Sequence, residues 1–371
     1  MENFIVSARR YRPASFDTVV GQPSITSTLR NAIMGHQLAQ AYLFCGPRGV
    51  GKTTCARIFA KTINCMNLKE NAEPCNECES CKSFDSGRSL NIHELDAASN
   101  NGVDDIRDLV EQVRILPQIG KYSVYIIDEV HMLSKSAFNA FLKTLEEPPA
   151  HAIFILATTE KHQILPTILS RCQIYDFNRM KVSDTVEHLK YIAAKEEVTA
   201  EEEALDVIAQ KADGAMRDAL SIFDQIVAFC GKHLTYAKVI ENLNVLDYDY
   251  YFKFTSLFYE GNIAESMLLL NEIYEKGFDA IHLVSDLSKH FRNLLVAKDT
   301  ITVQLLEVSA SIKERYVKQA AECSITFLYE ALKIAEQCEM QYKSRIEKRL
   351  CVELALIKLC QINELIEKKK V

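Results

Sequence analysis

From residue 40 to 177 the chain alternates short apolar runs with stretches of helical periodicity. Five runs, at 41–45, 91–95, 123–127, 152–157 and 174–177, read as strands. Runs as short and continuous as VYIID and AIFILA suit strands buried on both faces, and with helices between them they predict a parallel α/β sheet. One intervening helix is well marked. Ser134 or Ser136 caps it, Phe138, Phe141, Leu142 and Leu145 share one face, and Pro148-Pro149 stop it.

Beyond about residue 180 the strand pattern disappears. Thr199-Ala-Glu-Glu-Glu predicts a capping box with Glu202 at the third helical position, and Gly214 separates two amphipathic helices of a small domain ending near residue 242. The remainder is helical. Near its end Ile346, Leu350, Leu354 and Ile357 form a stripe that is expected to pack into a core, with docking against a partner helix as the alternative. There is no internal repeat, and the run Lys368-Lys369-Lys370 is expected to be a solvated end.

At 371 residues the chain exceeds what one core usually serves, so two or three domains are expected. With 48% hydrophobic and 25% charged residues the composition is that of a packed globular protein. MENFIVSARRYRP lacks a signal-like apolar run, and no stretch approaches the length of a membrane span. The expectation is a cytoplasmic chain without a membrane partner, whose twelve cysteines serve as metal ligands and small buried side chains rather than in disulfides. A net charge of −7 argues against a wholly basic nucleic-acid surface. Arg9, Arg10, Arg12, Arg48 and Arg57 leave either a local basic face or scattered surface charge open.

Gly46-Pro47-Arg48-Gly49-Val50-Gly51-Lys52-Thr53, followed by Thr54, fits the phosphate-loop pattern G-x-x-x-x-G-K-[ST] between a predicted strand and helix. The glycines let N–H groups close on phosphates, Lys52 reaches the β- and γ-phosphates, and Thr53 joins the Mg²⁺ shell. VYIIDEVH then places Asp128 as a second Mg²⁺ group and Glu129 to polarise an attacking water. A hydroxyl of Thr158 or Thr159 either senses the γ-phosphate or caps the next segment. His131 either orients the Asp-Glu pair or is a core histidine. Arg171 follows the next segment, and Arg217 lies near a helix start in the second domain.

Cys65, Cys75, Cys78 and Cys81 are spaced C-x9-C-x2-C-x2-C. Four thiolates suit a closed structural Zn²⁺ site, which leaves no open position for water chemistry. The C-x2-C-x2-C run also matches iron–sulfur ligation, and zinc is preferred. A redox role is disfavoured because thioredoxin-like motifs come as one pair after a strand. Glu70, Glu73, Glu77 and Glu79 argue against a nucleic-acid finger, since they repel phosphate.

GPRGVGKT, the cysteine cluster, DEVHMLSKSAFNAFLKTLEEPP, ILATTE, LSRC and GAMRDAL, in this order, resemble the gamma/tau subunits of the bacterial DNA polymerase III clamp loader, members of the AAA+ ATPases. The motifs cover residues 4 to about 225, and the last third is similar only in length and helical pattern. The resemblance implies a RecA-like α/β nucleotide-binding domain at 1–180 carrying a zinc module at 65–81. A three-helix lid at 181–242 and a helical collar at 243–371 that assembles subunits follow from it.

Carried onto this chain, the resemblance makes Lys52, Glu129 and Arg171 catalytic, Arg171 as an arginine finger acting on a neighbour's ATP. Thr159 becomes the first sensor and Arg217 the second, and Tyr11-Arg12-Pro13 with Val19-Val20-Gly21-Gln22 wraps the adenine. The implied partners are delta and delta-prime subunits in a pentameric ring, the sliding clamp and primer-template DNA, with homo-oligomerisation through the collar. ATP binding opens the clamp and hydrolysis releases it on DNA. A non-hydrolysing, delta-prime-like subunit is the alternative, which an intact phosphate loop disfavours, and no extra DNA-reading element supports a helicase. The start of a helix near Asn100-Asn101-Gly102, with Arg107, is a candidate phosphate contact for DNA. The cysteine cluster is expected to be a staple, so that replacing Cys78 leaves nucleotide binding intact.

Overall fold

The computed structural model describes residues 5–368. Lys369 and Lys370 of the terminal lysine run lie outside the described residues. Two compact units emerge, one containing residues up to Glu197 together with Ile208–Ala228, the other Val198–Val207 and residues from Phe229 onward.

Five strands form the sheet of the first unit: β1 (Ala41–Cys45), β2 (Ile92–Asp96), β3 (Ser123–Asp128), β4 (Ala152–Thr158) and β5 (Gln173–Asp176). Each lies within one residue of its expected position. All pairings are parallel, in the order β2-β3-β4-β1-β5. Alternation along the central strands divides the core. Tyr42, Phe44, Val124, Ile126, Ile153 and Ile155 pack on one face with helices α1 (Pro23–Met34) and α2 (Lys52–Ile63). Leu43, Tyr125, Ile127, Phe154 and Leu156 pack on the other with α3 (Val103–Val113) and α4 (Lys135–Glu146). Burial on both faces is why these strands read as continuous apolar runs.

Ser134, not Ser136, caps α4, its hydroxyl accepting the Ala137 N–H at 3.2 Å. Phe138, Phe141 and Leu145 are buried and Leu142 is half-buried. The helix at Val103 starts with its own carboxylates: Asp105 accepts the Gly102 N–H at 3.0 Å, and Arg107 pairs with Asp104 at 3.0 Å. One carboxylate thus already sits at the helix start that the sequence offers to a DNA phosphate, and it competes with an anion there.

The strand pattern does not end at residue 180. In the second unit Thr199–Ala200 pairs in parallel with His233–Leu234. Thr199 is therefore a strand residue rather than a helix cap, and the following helix, α5 (Glu202–Lys211), begins with Glu202 as its first residue rather than its third. Glu201 instead accepts the Tyr236 N–H at 2.7 Å, tying the two ends of this small pair together.

The rest of the second unit is helical, with α6 (Tyr248–Glu260), α7 (Ile263–Glu275), α8 (Ala280–Val296), α9 (Ala310–Glu322), α10 (Ile325–Tyr342) and α11 (Lys348–Cys360) around one core. In α11 the buried residues are Cys351, Val352, Ala355, Leu356, Leu359 and Cys360. The expected core stripe is the other face: Ile346 is 99% exposed, Leu350 44% and Leu354 42%, with Ile357 intermediate. This helix is apolar on two sides, and periodicity alone cannot choose between them. Among the described residues no helix is long and apolar enough to cross a membrane.

Candidate functional site

The carboxyl ends of β1, β3 and β4 bring the predicted residues to one edge of the sheet, the place where open α/β sheets bind ligands. The phosphate loop follows Cys45, which is registered against Thr158 on one side and Asp176 on the other. Gly46, at φ +145°, is in a conformation few other residues adopt, and a Cβ there would meet the Phe177 carbonyl oxygen at 2.5 Å. Gly51 caps α2 from the left-handed region with open space in front of it.

Within the loop, Val50 and Lys52 are buried and Arg48 is exposed. Lys52 Nζ donates to the Gly46 and Pro47 carbonyls, each at 2.8 Å. Burial pulls its ammonium below the usual lysine range, against the attraction of Glu129 and Asp128. A cation so placed has unmet demand for an anion.

Thr53 Oγ1 donates to Asp128 Oδ2 at 2.6 Å, joining groups 75 residues apart. Oxygen donors of this kind are those Mg²⁺ takes, so the pair fits the ion. Glu129, just past β3, is held at φ +48°, a strained backbone for a glutamate. Its Oε2 accepts the Thr159 N–H at 3.3 Å and the Thr159 hydroxyl at 3.1 Å. Thr158 is fully buried and bonds instead to His131 Nδ1 at 3.0 Å and the Glu160 N–H at 3.0 Å. His131 Nδ1 also lies 3.4 Å from Glu129 Oε2, so it supports the acid from behind.

Arg217 meets the loop through its backbone. Its N–H faces the Gly49 carbonyl at 3.4 Å, and a Cβ on Gly49, at φ +77°, would lie 2.9 Å from Ala215 Cβ. Arg12 Nε donates to Thr54 Oγ1 at 3.2 Å. Desolvation, then the like charge of Arg57, disfavours the Arg12 guanidinium, and Glu94 followed by Asp128 partly restores it. Arg12 therefore extends to the phosphate-binding helix, while the Tyr11 hydroxyl bonds to Glu196. Gln22, which carried no role of its own in the sequence, is buried and pins the end of this segment: its Nε2 donates to the Asn178 carbonyl at 2.7 Å.

Arg171 is exposed and stands apart from this cluster. Its guanidinium donates to Glu146 Oε1 at 2.8 Å and to the Thr167 carbonyl at 2.7 Å. Glu146 is a partner that spacing could not reveal, since it ends a helix 25 residues earlier.

The four cysteines converge. One sulfur from each of Cys65, Cys75, Cys78 and Cys81 lies within 4.8 Å of all the others. A tetrahedral thiolate site places sulfurs about 3.8 Å apart, so a single ion fits with slight contraction, while a multi-iron cluster does not fit between them. Backbone N–H groups point at the sulfurs, from Cys75 to Cys65 Sγ at 3.3 Å and from Glu77 and Cys78 to Cys75 Sγ at 3.4 and 3.3 Å. Those two N–H groups bring the Cys75 thiol down to about 6, favouring the thiolate a metal needs. Glu70, Glu77 and Glu79 are exposed as expected, but Glu73 is turned inward.

Three family profiles cover the chain in succession: one described as DNA polymerase III, delta subunit, at residues 21–181; one as DNA polymerase III clamp loader subunit, ATPase lid domain, at 184–232; and one as DNA polymerase III subunits gamma and tau domain III, at 234–371. The chain is 42% identical over 355 residues to DNA polymerase III subunit tau of Bacillus subtilis, covering 96% of this chain and 63% of that one. It is 40% identical over 277 residues to the tau subunit of Escherichia coli, covering 75% and 43%. To the DNA polymerase III subunit gamma of a Buchnera aphidicola strain it is 32% identical, across 97% of this chain and 98% of the relative. The chain thus spans about half to two thirds of the longer relatives and nearly the whole of the shorter one. Among solved structures, the Thermotoga maritima RuvB branch-migration motor aligns at a TM-score of 0.47 and 21% identity, over 66% of this chain and 78% of that one. A 32% identity that extends over nearly the full length of a gamma subunit, together with the three consecutive profiles, leads to one conclusion: this chain belongs to the gamma/tau subunit family of bacterial DNA polymerase III.

Proposed function

We propose that the chain is an ATP-driven motor subunit of the clamp loader of a replicative DNA polymerase, acting in the cytoplasm. The observation that carries this reading is the pairing of Thr53 with Asp128 and of Thr159 with Glu129 at one sheet edge beside a buried, partly uncompensated Lys52. A non-hydrolysing stator has no need of that complete set.

In this reading the loop N–H groups from Gly46 to Thr54 and the Lys52 ammonium bind phosphates, and Thr53 and Asp128 hold Mg²⁺. Mg²⁺ held by these residues would supply positive charge that neutralises the phosphates. Glu129 accepts the proton of a water aimed at the terminal phosphate, and Thr159 orients Glu129 and reports on what lies beside it. Arg217 reads the nucleotide from the lid. Residues 11–22, anchored by Arg12 at one end and Gln22 at the other, close over the base. Arg171 acts as a finger on the ATP of a neighbouring subunit, consistent with its bonds to Glu146 and Thr167 rather than to its own phosphate loop. Cys65, Cys75, Cys78 and Cys81 hold structural Zn²⁺.

The functional segments are then 1–180 for nucleotide, 181–242 for the lid and 243–371 for the collar. The exposed apolar residues Ile346, Leu350 and Leu354 suit a collar that joins copies to each other and to delta and delta-prime in a pentamer. ATP binding favours the ring geometry that opens a sliding clamp for primer-template DNA, and hydrolysis releases it.

The test is ATP turnover by the purified chain with clamp, partner subunits and primed DNA. Lys52→Ala abolishes turnover if the reading holds, and unaltered turnover in that variant would end the motor assignment.

A further inference from the structure

Glu73 lies within the cysteine excursion, two residues before Cys75, yet it is only 5% exposed. Its Oε2 accepts the Phe16 N–H at 3.1 Å, and its Oε1 accepts the Asp17 N–H at 3.0 Å and Arg30 Nη2 at 2.6 Å. Phe16 and Asp17 open the single 3₁₀ turn Phe16–Thr18, where the first N–H groups have no partner of their own. The Phe16 ring is buried, with the Arg30 guanidinium carbon 5.8 Å from its centroid. Val19, Val20 and Gly21 come next.

The other side of the excursion is fastened to the phosphate-binding helix α2. Cys65 follows that helix directly, and the buried Lys61 donates to both Asp85 oxygens, at 2.6 and 2.8 Å. Asp85 ends the short helix Glu79–Asp85 that begins beside Cys78. Arg57, also of α2, sits 4.7 Å from the Phe84 ring centroid. Between these anchors the excursion is too short for a core of its own. Its turn at Glu73 is closed locally by the Lys69 N–H on the Glu73 carbonyl at 3.0 Å, with Ala72 at φ +56°. Ala72 anchors one side of that turn in the core of the first unit, and closure of the four sulfurs on a metal would fix the side that leads to Cys75.

We infer that the metal-bound excursion positions the base-wrapping segment for nucleotide, with Glu73 as the positioning residue. The inference rests on the reading of residues 11–22 as the segment that covers the base. It revises the expectation that the cysteine cluster is separable from nucleotide binding. Releasing the metal frees the turn, withdraws a buried carboxylate from two N–H groups and an arginine, and leaves the segment to be ordered by the nucleotide itself. Apparent affinity then falls by the fraction of chains in which the segment is still in place.

The experiment compares wild type, Glu73→Gln and chelator-treated wild type by binding of ATP and of inorganic tripolyphosphate, and by hydrogen exchange at 14–22 and 46–54. The expected result for Glu73→Gln and for metal removal is faster exchange at 14–22, unchanged exchange at 46–54 and roughly tenfold weaker ATP binding. Tripolyphosphate, which has no base, binds as before, and chelation adds little further loss to Glu73→Gln. Wild-type exchange at 14–22 in folded Glu73→Gln overturns the inference, and so does wild-type exchange there after metal removal should Glu73→Gln fail to fold. Faster exchange with ATP affinity unchanged overturns instead the base-wrapping reading beneath it.

Discussion

The Thr159 hydroxyl donates to Glu129 Oε2 at 3.1 Å, and the Thr159 N–H reaches the same oxygen at 3.3 Å. One residue earlier, Thr158 turns the other way to His131. Two adjacent threonines therefore carry different duties. Thr159→Ala is expected to slow single-turnover hydrolysis by about tenfold or more while ATP affinity changes little, and Glu129→Gln by about a hundredfold or more. Thr158→Val removes the hydroxyl partner of the His131 ring and leaves the Glu160 N–H without its acceptor, and should cost about 1–3 kcal/mol in thermal or denaturant unfolding. Equal kinetic defects in the two threonine variants would remove the distinction.

Among the described glycines, Gly46 is the one where an added Cβ would make the closest contact. A methyl group there meets the Phe177 carbonyl oxygen at 2.5 Å in a backbone conformation that alanine disfavours. Gly46→Ala should destabilise the first unit by about 2 kcal/mol or more and weaken ATP binding sharply. Calorimetry and nucleotide titration check both, and a variant with wild-type affinity would show that the loop can relocate.

Arg171 and Glu146 form a partly exposed ion pair, with side chains 34% and 49% exposed. Such pairs contribute little to stability, so Glu146→Gln should shift unfolding by less than about 1 kcal/mol. Arg171→Ala should also unfold normally. Mixed into assemblies with wild type, it should lower hydrolysis at the adjacent site about a thousandfold, the scale of a finger given in trans. Full activity at that neighbour would show that Arg171 does not act across subunits.

His290 sits in the core of the second unit, bonded to the Tyr316 hydroxyl at 3.1 Å and Gln319 Oε1 at 3.2 Å, with Tyr251 and Phe252 from α6 against it. Burial, opposed by Gln319 and aided by the charge of Arg315, brings its imidazole from 6.5 down to about 3. Between those values the unfolded chain binds a proton that the folded chain refuses. Stability from this group is complete above pH 6.5 and falls, as pH drops toward 3, by up to about 1.4 kcal/mol per unit. His290→Gln should flatten the acid limb of the stability curve, and an identical limb in both proteins would assign acid unfolding to carboxylates alone.

The sequence by itself determined what is local. Short apolar runs located the five strands of the first unit's sheet to within a residue, the glycine spacing marked the phosphate loop, and the cysteine spacing marked a set of ligands. These signals succeed because each arises from the constraints on a few consecutive residues. Tertiary structure alone decided the rest. It turned Thr159, not Thr158, toward Glu129, because β4 ends with Thr158 buried and Thr159 is the first residue beyond it. It chose which of two apolar faces of α11 enters the core, and it drew Thr199 into a two-residue strand whose partner lies beyond the next two helices. Above all it turned Glu73 inward. In the sequence that residue is one of four acidic side chains beside the cysteines, and its partners, Phe16 and Asp17, lie 57 and 56 residues away. A carboxylate is buried where distant N–H groups and a guanidinium are already waiting to pair with it, and local periodicity carries no information about that meeting.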